Sequence, residues 1–477
     1  MHKYPVIIQG GMGAGVSSWR LAQSVSRQGQ LGVVSGTALD QILVRRLQDG
    51  DPGGHMRRAL EAFPFRSIAE RIAGEYFVAG GKADTASYRL LPLHAKNDPR
   101  ELVELCIASN FVEVFLAREG HRNPVGINYL EKIQIPHLPS MYGAILAGVD
   151  YVLMGAGIPL QVPGVLDRLA AGKPAEYPLH VTGSREGEDT TLRFDPCEYA
   201  ECTLPPLRRP AFLAIVSSNT LATTMLRKAS GKVDGLIIET RTAGGHNAPP
   251  RGKLQLDAQG EPVYGERDIV DLEKIRELGV PFWLAGGYGS AAKLREALEQ
   301  GATGVQVGTA FAFTRESGLR EDLKQKLIDK ARRQEAEIFT DPLASPTGFP
   351  FKVARLEGTG SDNAVWSERP RVCDLGFLRE LYRAEDGQIG YRCPAEPLPL
   401  YLAKGGKAED AAGRKCLCNA LMANIGHAQV RCGHHVEPAL VTAGDDLVHV
   451  AGFLPLGAET YGVADVLHSL LKDVRSV

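Results

Sequence analysis

Eight short apolar runs, each ending at a polar or glycine-rich turn, constrain this chain more than any other feature. They are Val6–Gln9, Leu31–Ser35, Val125–Asn128, Tyr151–Met154, Phe212–Val216, Gly235–Glu239, Phe282–Ala285 and Gly304–Val307. The runs are continuous rather than alternating, as expected of strands in a parallel sheet covered by helices. Amphipathic patterns lie between them. Ile269–Leu278 puts Ile269, Leu272, Ile275 and Leu278 on one face, and Ala291–Gln300 is followed by Gly301 as a C-cap. Eight strands joined by helices point to an α/β fold of the (β/α)8 TIM-barrel type, with a doubly wound open sheet as the competing architecture.

The spacing is uneven in two places. Residues 40–124 are too long for one crossover helix. They hold helical patterns at Gln41–Gln48 and Pro99–Ser109, plus an apolar run, Phe111–Leu116, that reads as extra helix or as a mis-ranked strand. Residues 173–209 read as an excursion with a small hairpin, Leu179–Thr182 and Thr190–Phe194. The rhythm breaks near residue 335, where Pro342, Pro346 and Pro350 mark a loop. The expected organisation is a barrel over 1–335, with insertions near 40–124 and 173–209, and an α-rich C-terminal appendage over 336–477.

With 477 residues the chain can bury a large core, and a formal net charge of -2 gives no electrostatic case for nucleic acid or an anionic membrane. No apolar run approaches a membrane span. The N-terminus enters a strand at once and lacks a signal-peptide layout, so a cytoplasmic location is expected. There the eight cysteines would be thiols, metal ligands or redox groups rather than disulfides.

The chemistry concentrates where apolar runs end. After Gly235–Glu239 comes Thr240-Arg241-Thr242-Ala243-Gly244-Gly245-His246. Glycines let the backbone turn and approach a ligand, and one imidazole projects from the turn. Similar turns follow the last two strands, at Gly286-Gly287-Tyr288-Gly289 and Gly308-Thr309. Loops seven and eight of such a barrel commonly bind phosphate through backbone N–H groups, although tight helix packing also selects glycine. The turn Gly10-Gly11-Met12-Gly13 has no lysine at phosphate-loop spacing, and it suits a flat ring lying against the main chain. A phosphate, a planar ring and a nearby base are together satisfied by FMN. A barrel isomerase or transferase acting on a phosphorylated substrate is the alternative of another class.

As an ordered set, Val6-Ile7-Ile8-Gln9-Gly10-Gly11-Met12-Gly13, Gly126-Ile127-Asn128, Ala243-Gly244-Gly245-His246, Ala285-Gly286-Gly287-Tyr288-Gly289 and Gly304-Val305-Gln306-Val307-Gly308-Thr309 resemble the nitronate monooxygenase (2-nitropropane dioxygenase) family. The broader group includes FMN-dependent enoyl reductases, among them those of fatty acid and polyketide assembly lines. The resemblance spans about residues 4–320. It implies a flavoprotein oxidoreductase with FMN as cofactor. The Gly10–Gly13 turn and Asn128 would lie on the ring and ribityl side, with Gly244 and Gly245 beside them. Gly286, Gly287, Gly289, Gly308 and Thr309 would hold the phosphate, and His246 would be the catalytic base or acid acting on an activated C–H substrate. An enoyl reductase would use NAD(P)H as donor and an acyl carrier protein as partner. A small-molecule substrate and a homo-oligomer are expected in either case.

Two departures stand out. The loop after His246 continues Asn247-Ala248-Pro249-Pro250-Arg251, and Arg251 is either a substrate-binding cation or a solvated charge. The C-terminal region carries Cys373, Cys393, Cys416 and Cys418, with Cys432, His434 and His435 nearby. The Cys-x19-Cys-x22-Cys-x-Cys spacing matches neither a zinc ribbon nor a ferredoxin run. The four thiols are either packed as small apolar groups or converge on an iron–sulfur cluster or zinc.

Overall fold

The computed structural model describes residues 4–185, 187–431 and 435–472. The eight expected strands form one parallel sheet: β1 (Ile7–Gln9), β2 (Gly32–Ser35), β3 (Val125–Leu130), β4 (Tyr151–Gly155), β5 (Ala211–Val216), β6 (Gly235–Glu239), β7 (Phe282–Ala285) and β8 (Gly304–Val307). Their order is β1-β8-β7-β6-β5-β4-β3-β2. A parallel bridge between Ile8 and Leu31 joins β1 to the β2 edge, supported by Gln9 N–H to Leu31 O at 2.9 Å. The sheet therefore closes, and the barrel reading holds over the open sheet.

Both faces of each strand are apolar because both are buried. Ile8, Val33, Leu153, Leu213, Ile237 and Trp283 fill the barrel interior as one cluster. Their sequence neighbours Ile7, Val34, Val152, Phe212, Ile238 and Leu284 belong to the outer core beneath the helices. Trp283 also plugs one end, its Nε1–H donating to Pro5 O at 2.9 Å.

The long β2–β3 connection is helical throughout its ordered elements: Leu39–Gln48, His55–Glu61, Arg66–Tyr76 and Arg100–Arg118. The run Phe111–Leu116 belongs to the last of these. Its length of 19 residues and burial on nearly every side explain why periodicity alone was ambiguous. It packs on helix His137–Leu146 so closely that a Cβ at Gly143 would stand 2.1 Å from Ile107 O. The expected helix Ile269–Leu278 is shorter, running Leu272–Glu277 after a 3-10 turn. Asp271 caps it, and Ile269 is exposed rather than on the buried face.

The excursion differs from expectation in its pairing. Ala175–Pro178 pairs antiparallel with Thr191–Phe194, while Val181–Thr182 pairs parallel with Glu380–Arg383 in the C-terminal region. A hairpin was expected from local pattern, but one arm finds its partner two hundred residues away.

The region after residue 335, expected to be α-rich, holds strands as well as helices. Ile338–Asp341 and Phe351–Ala354 form an antiparallel pair, as do Glu380–Arg383 and Ile389–Arg392. Helices Leu417–Asn424 and Val463–Leu471 share one core with the barrel helices. A buried ion-pair chain braces this region: Arg369 to Glu437 at 2.5 Å, Glu437 to Arg431 at 2.6 Å, and Arg431 to Asp374 at 2.8 Å. Among the described residues no helix is long and apolar enough to cross a membrane.

At Gly304, where β8 meets the chain entering β1, a Cβ would lie 1.9 Å from Val6 O. Backbone cannot yield there as a flexible side chain would. Gly304→Ala should therefore cost about 3 kcal/mol or more, read as a lower urea midpoint with unchanged slope. A neutral result would show that the seam is loose.

Candidate functional site

A deep cavity opens at the C-terminal ends of the strands. Gly10, Gly11, Met12, Gly13, Asn128, Gly244, Gly245, His246, Gly286, Gly287, Gly308 and Thr309 all line it. Residues 300 positions apart in sequence thus meet because closure puts every strand end at one mouth. Segment 336–472 roofs the cavity with Phe351, Phe377, Leu417, Cys418 and Val441.

His246 sits in a two-residue strand, Gly245–His246, paired antiparallel with Phe351–Lys352. Gly245 adopts φ +79, which L side chains rarely adopt. Its N–H donates to Thr442 Oγ1 at 2.8 Å, and Asn247 N–H donates to Pro350 O at 2.9 Å. The imidazole stands edge-on to Phe351, centroids 5.0 Å apart. Nε2 is held by Ser345 Oγ at 2.7 Å, and that hydroxyl is itself positioned by Thr347 at 2.8 Å. Among the described residues no hydrogen bond forms at Nδ1. Burial, aided by the Lys132 charge, pushes the imidazole down to about 4, so it is neutral at neutral pH.

Glu239, at the end of β6, was not assigned a role from sequence. It is the last residue of an otherwise apolar run, which is the signal that marks it. Among the described residues no salt bridge forms at its carboxyl, and burial alone pushes it from 4.5 up to about 7. Glu239 lines the mouth, where the surroundings are too dry to stabilise the ion. The site therefore holds a protonated carboxyl and an unprotonated imidazole over the same pH range, the reverse of their order in water.

The floor presents main chain. A Cβ at Gly11 would meet Asn128 Cβ at 2.4 Å, so this turn admits only glycine beside that asparagine. Gln306 Oε1 and Asn424 Oδ1 are buried on the cavity wall without a hydrogen-bond partner. Both would accept from a bound ligand. Among the described residues, the N–H groups of Gly287, Gly308 and Thr309 donate to no main-chain acceptor.

Two expected residues lie elsewhere. Gly289 is off the wall, and its N–H donates to Asp446 Oδ2 at 3.1 Å. Arg251 is carried outward by Pro249 and Pro250 into a second cavity with Arg241 and Tyr264. Glu239 and Tyr288 line both cavities. The four cysteines converge on a small adjoining cavity, and Cys418 alone of them also lines the main one. Of the proposed fifth group, Cys432 and His434 lie outside the described residues.

Residues 207–341 match the nitronate monooxygenase family. The segment spans β5 to β8 and so contains His246 and the glycine turns that follow β7 and β8. A probable nitronate monooxygenase of Bacillus subtilis (strain 168) is 30% identical over 26% of this chain and 36% of its own length. The (3aS,4S,5R,7aS)-5-hydroxy-7a-methyl-1-oxo-octahydro-1H-indene-4-carboxyl-CoA dehydrogenase of Mycobacterium tuberculosis is 24% identical over 45% of this chain and 60% of its own. The chain thus spans less than two thirds of the length of either relative. The structure of FabK from Thermotoga maritima aligns over 99% of this chain and 93% of that one, with a TM-score of 0.50 and 16% identity. That likeness concerns the fold.

The Glu239 carboxyl links stability to pH with a definite sign. Its folded value lies above its unfolded value of 4.5. Its contribution is therefore full below pH 4.5 and is lost as pH rises through about 7. Glu239→Gln removes that loss, so the variant should gain stability relative to the parent as pH rises across this window. Parallel denaturation curves with a constant offset would refute the buried-acid reading.

Proposed function

We propose that the protein is an FMN-dependent oxidoreductase acting on an activated C–H or C=C bond. The observation that supports this best is the pairing, in one mouth, of main-chain glycine turns with a neutral imidazole whose far edge is fixed by Ser345.

The residues present fit the cofactor. Gly10–Gly13 and Asn128 would lie along the ring and ribityl side. Gln306 Oε1 and Asn424 Oδ1 are acceptors in need of donors such as a ring N–H or a hydroxyl. The N–H groups of Gly287, Gly308 and Thr309 would take the phosphate. Bound FMN would supply the two-electron step. His246 would accept or return the proton at the substrate's α-carbon through Nδ1, while Ser345 keeps the ring from rotating. Phe351, Phe377 and Val441 would keep bulk water from the reacting carbon.

One observation favours the enoyl-reductase branch as a second reading. A reductase needs a proton donor, and Glu239 is a carboxyl that keeps its proton to about pH 7. On that reading NAD(P)H is the donor, and a carrier-bound or otherwise activated acyl group is the substrate. On the monooxygenase reading His246 alone suffices.

Freshly purified protein should be yellow and should release FMN on denaturation. A colourless protein that gains no flavin on incubation would refute the assignment. Anaerobic mixing with reduced nicotinamide cofactor separates the branches, since bleaching supports the reductase and bleaching only by a nitronate supports the monooxygenase. His246→Ala should slow the proton-transfer half-reaction by about two to four powers of ten with flavin still bound. Near-normal turnover would remove His246 from the reaction.

A further inference from the structure

A small cavity beside the mouth is lined by cations and hydrogen-bond donors. Lys132 and Gln134, from the turn after β3, form one side of it, and Arg379 and Tyr391, from the C-terminal region, form another. His94 is also on the wall, and no carboxylate is. Ile133 and Phe377 line both this cavity and the main one, so the two share a wall.

The polar groups left over on this wall are all donors. Among the described residues Lys132 forms no ion pair, and its Nζ stands over the Phe349 ring, 4.9 Å from the centroid. Arg379 gives its Nε–H to Gly376 O at 3.1 Å and an Nη2–H to His94 O. Among the described residues it pairs with no carboxylate, and Nη1 has no acceptor. Tyr391 Oη accepts the Lys96 N–H at 2.7 Å, and among the described residues its own O–H donates to nothing. The other two polar side chains are spent. The Gln134 amide donates to Glu131 at 2.7 Å and accepts the His180 N–H at 2.8 Å. His94 is bound through Nδ1 to Asp98 at 2.6 Å and through Nε2 to Asp40 at 3.0 Å. Burial opposes its charge, but the two carboxylates prevail and raise it to about 9. The nearby acids Asp40, Asp98 and Glu131 thus serve these partners and leave Lys132 and Arg379 uncompensated. Two such cations and a hydroxyl around one small space call for an acceptor that carries negative charge.

We propose that this cavity binds a small monovalent anion, held by Lys132, Arg379 and Tyr391, and that its occupancy is coupled to His246. The cavity volume is about 20 Å³, where one water needs about 10–15 Å³. Chloride or an anion of similar size fits, and a phosphate ester does not. The coupling runs through Phe349. Its ring carries the Lys132 ammonium and meets the His246 ring edge-on, with centroids 6.4 Å apart. After burial, the Lys132 charge is what holds the imidazole neutral. An anion on Lys132 cancels that charge, so filling the site raises His246 toward its ordinary value. By reciprocity, a proton on His246 strengthens anion binding. Other titratable groups around the ring do not supply this effect. Glu239 and Asp446 share its cavity, and burial favours their neutral forms. Lys352, on the pairing strand, is met by Asp445 at 2.7 Å, and Arg414 donates to Ser345 O at 2.7 Å.

The test uses the full chain in sodium gluconate, with sodium chloride exchanged in at constant ionic strength. It does not depend on flavin content. The chloride NMR line should broaden in a way that saturates as chloride is added. Lys132→Gln should weaken that binding about tenfold or more, while the exposed control Lys173→Gln should leave it unchanged. In protein with ring-labelled histidine, His246 should titrate higher with chloride than with gluconate. In Lys132→Gln it should start higher and no longer respond to chloride. Broadening that does not saturate in the parent protein overturns the site, and this measurement stands whatever the variants do. Equal binding in Lys132→Gln overturns it as well, by placing the chloride elsewhere. A His246 titration that ignores chloride in the parent overturns the coupling.

Discussion

A two-residue strand carries the site. Gly245–His246 leaves the end of β6 and would be a free loop on a bare barrel. Here it pairs with Phe351–Lys352, and the same stretch accepts support from Thr442, Pro350 and Ser345. Asp445 N–H adds a bond to Thr242 O at 3.0 Å, and Ala354 N–H ties the supporting strand to Val441 O at 2.9 Å. Every one of these partners comes from beyond residue 335. The barrel supplies the imidazole, and the C-terminal region fixes its direction. This is why the ion-pair chain Arg369–Glu437–Arg431–Asp374 matters to a site it does not touch: it stiffens the region that aims the ring.

The same roof sets the electrostatics. Glu239 and His246 are shifted by the loss of water more than by any charge partner. Water would ionise Glu239 and let His246 take up a proton more readily. Phe351, Phe377, Leu417 and Val441 exclude it, so both groups stay neutral across a wide range. A neutral acid and a neutral base can each exchange a proton with a bound ligand without first desolvating an ion. Packing of the C-terminal region thus becomes chemistry at the mouth.

The sequence made the barrel legible because the strands are buried on both faces, and continuous apolar runs survive that burial as a pattern. His246 and the glycine turns were legible because main-chain geometry at those points demands particular residues, as Gly11 against Asn128 shows. What depends on distant partners was not. Val181–Thr182 reads locally as a hairpin arm, yet it pairs with Glu380–Arg383. Ser345 sits in a proline-marked loop with no local sign that it holds an imidazole 99 positions away. Arg251 has the right chemistry for an anion, but two prolines direct it to the second cavity. Glu239 ends a legible apolar run, and only the burial that follows folding sets its carboxyl apart from any other.

The glycine turns after β7 and β8 show the same dependence on the C-terminal region. Gly444 N–H donates to Thr309 Oγ1 at 2.8 Å, and Asp446 takes the Gly289 N–H. The cradle expected from four glycines and a threonine therefore loses the Gly289 N–H and keeps those of Gly286, Gly287, Gly308 and Thr309. A carboxylate at that corner would repel a phosphate. Burial instead raises Asp446 above the usual carboxylate range, which favours its neutral form. An anion arriving beside it pushes in the same direction, since a like charge further disfavours ionisation. If an anion binds there, protonation of Asp446 and anion binding would be linked, each promoting the other. Affinity at this corner should rise as pH falls toward the Asp446 value, because the acid form removes the repulsion and can donate a hydrogen bond to the incoming oxygen.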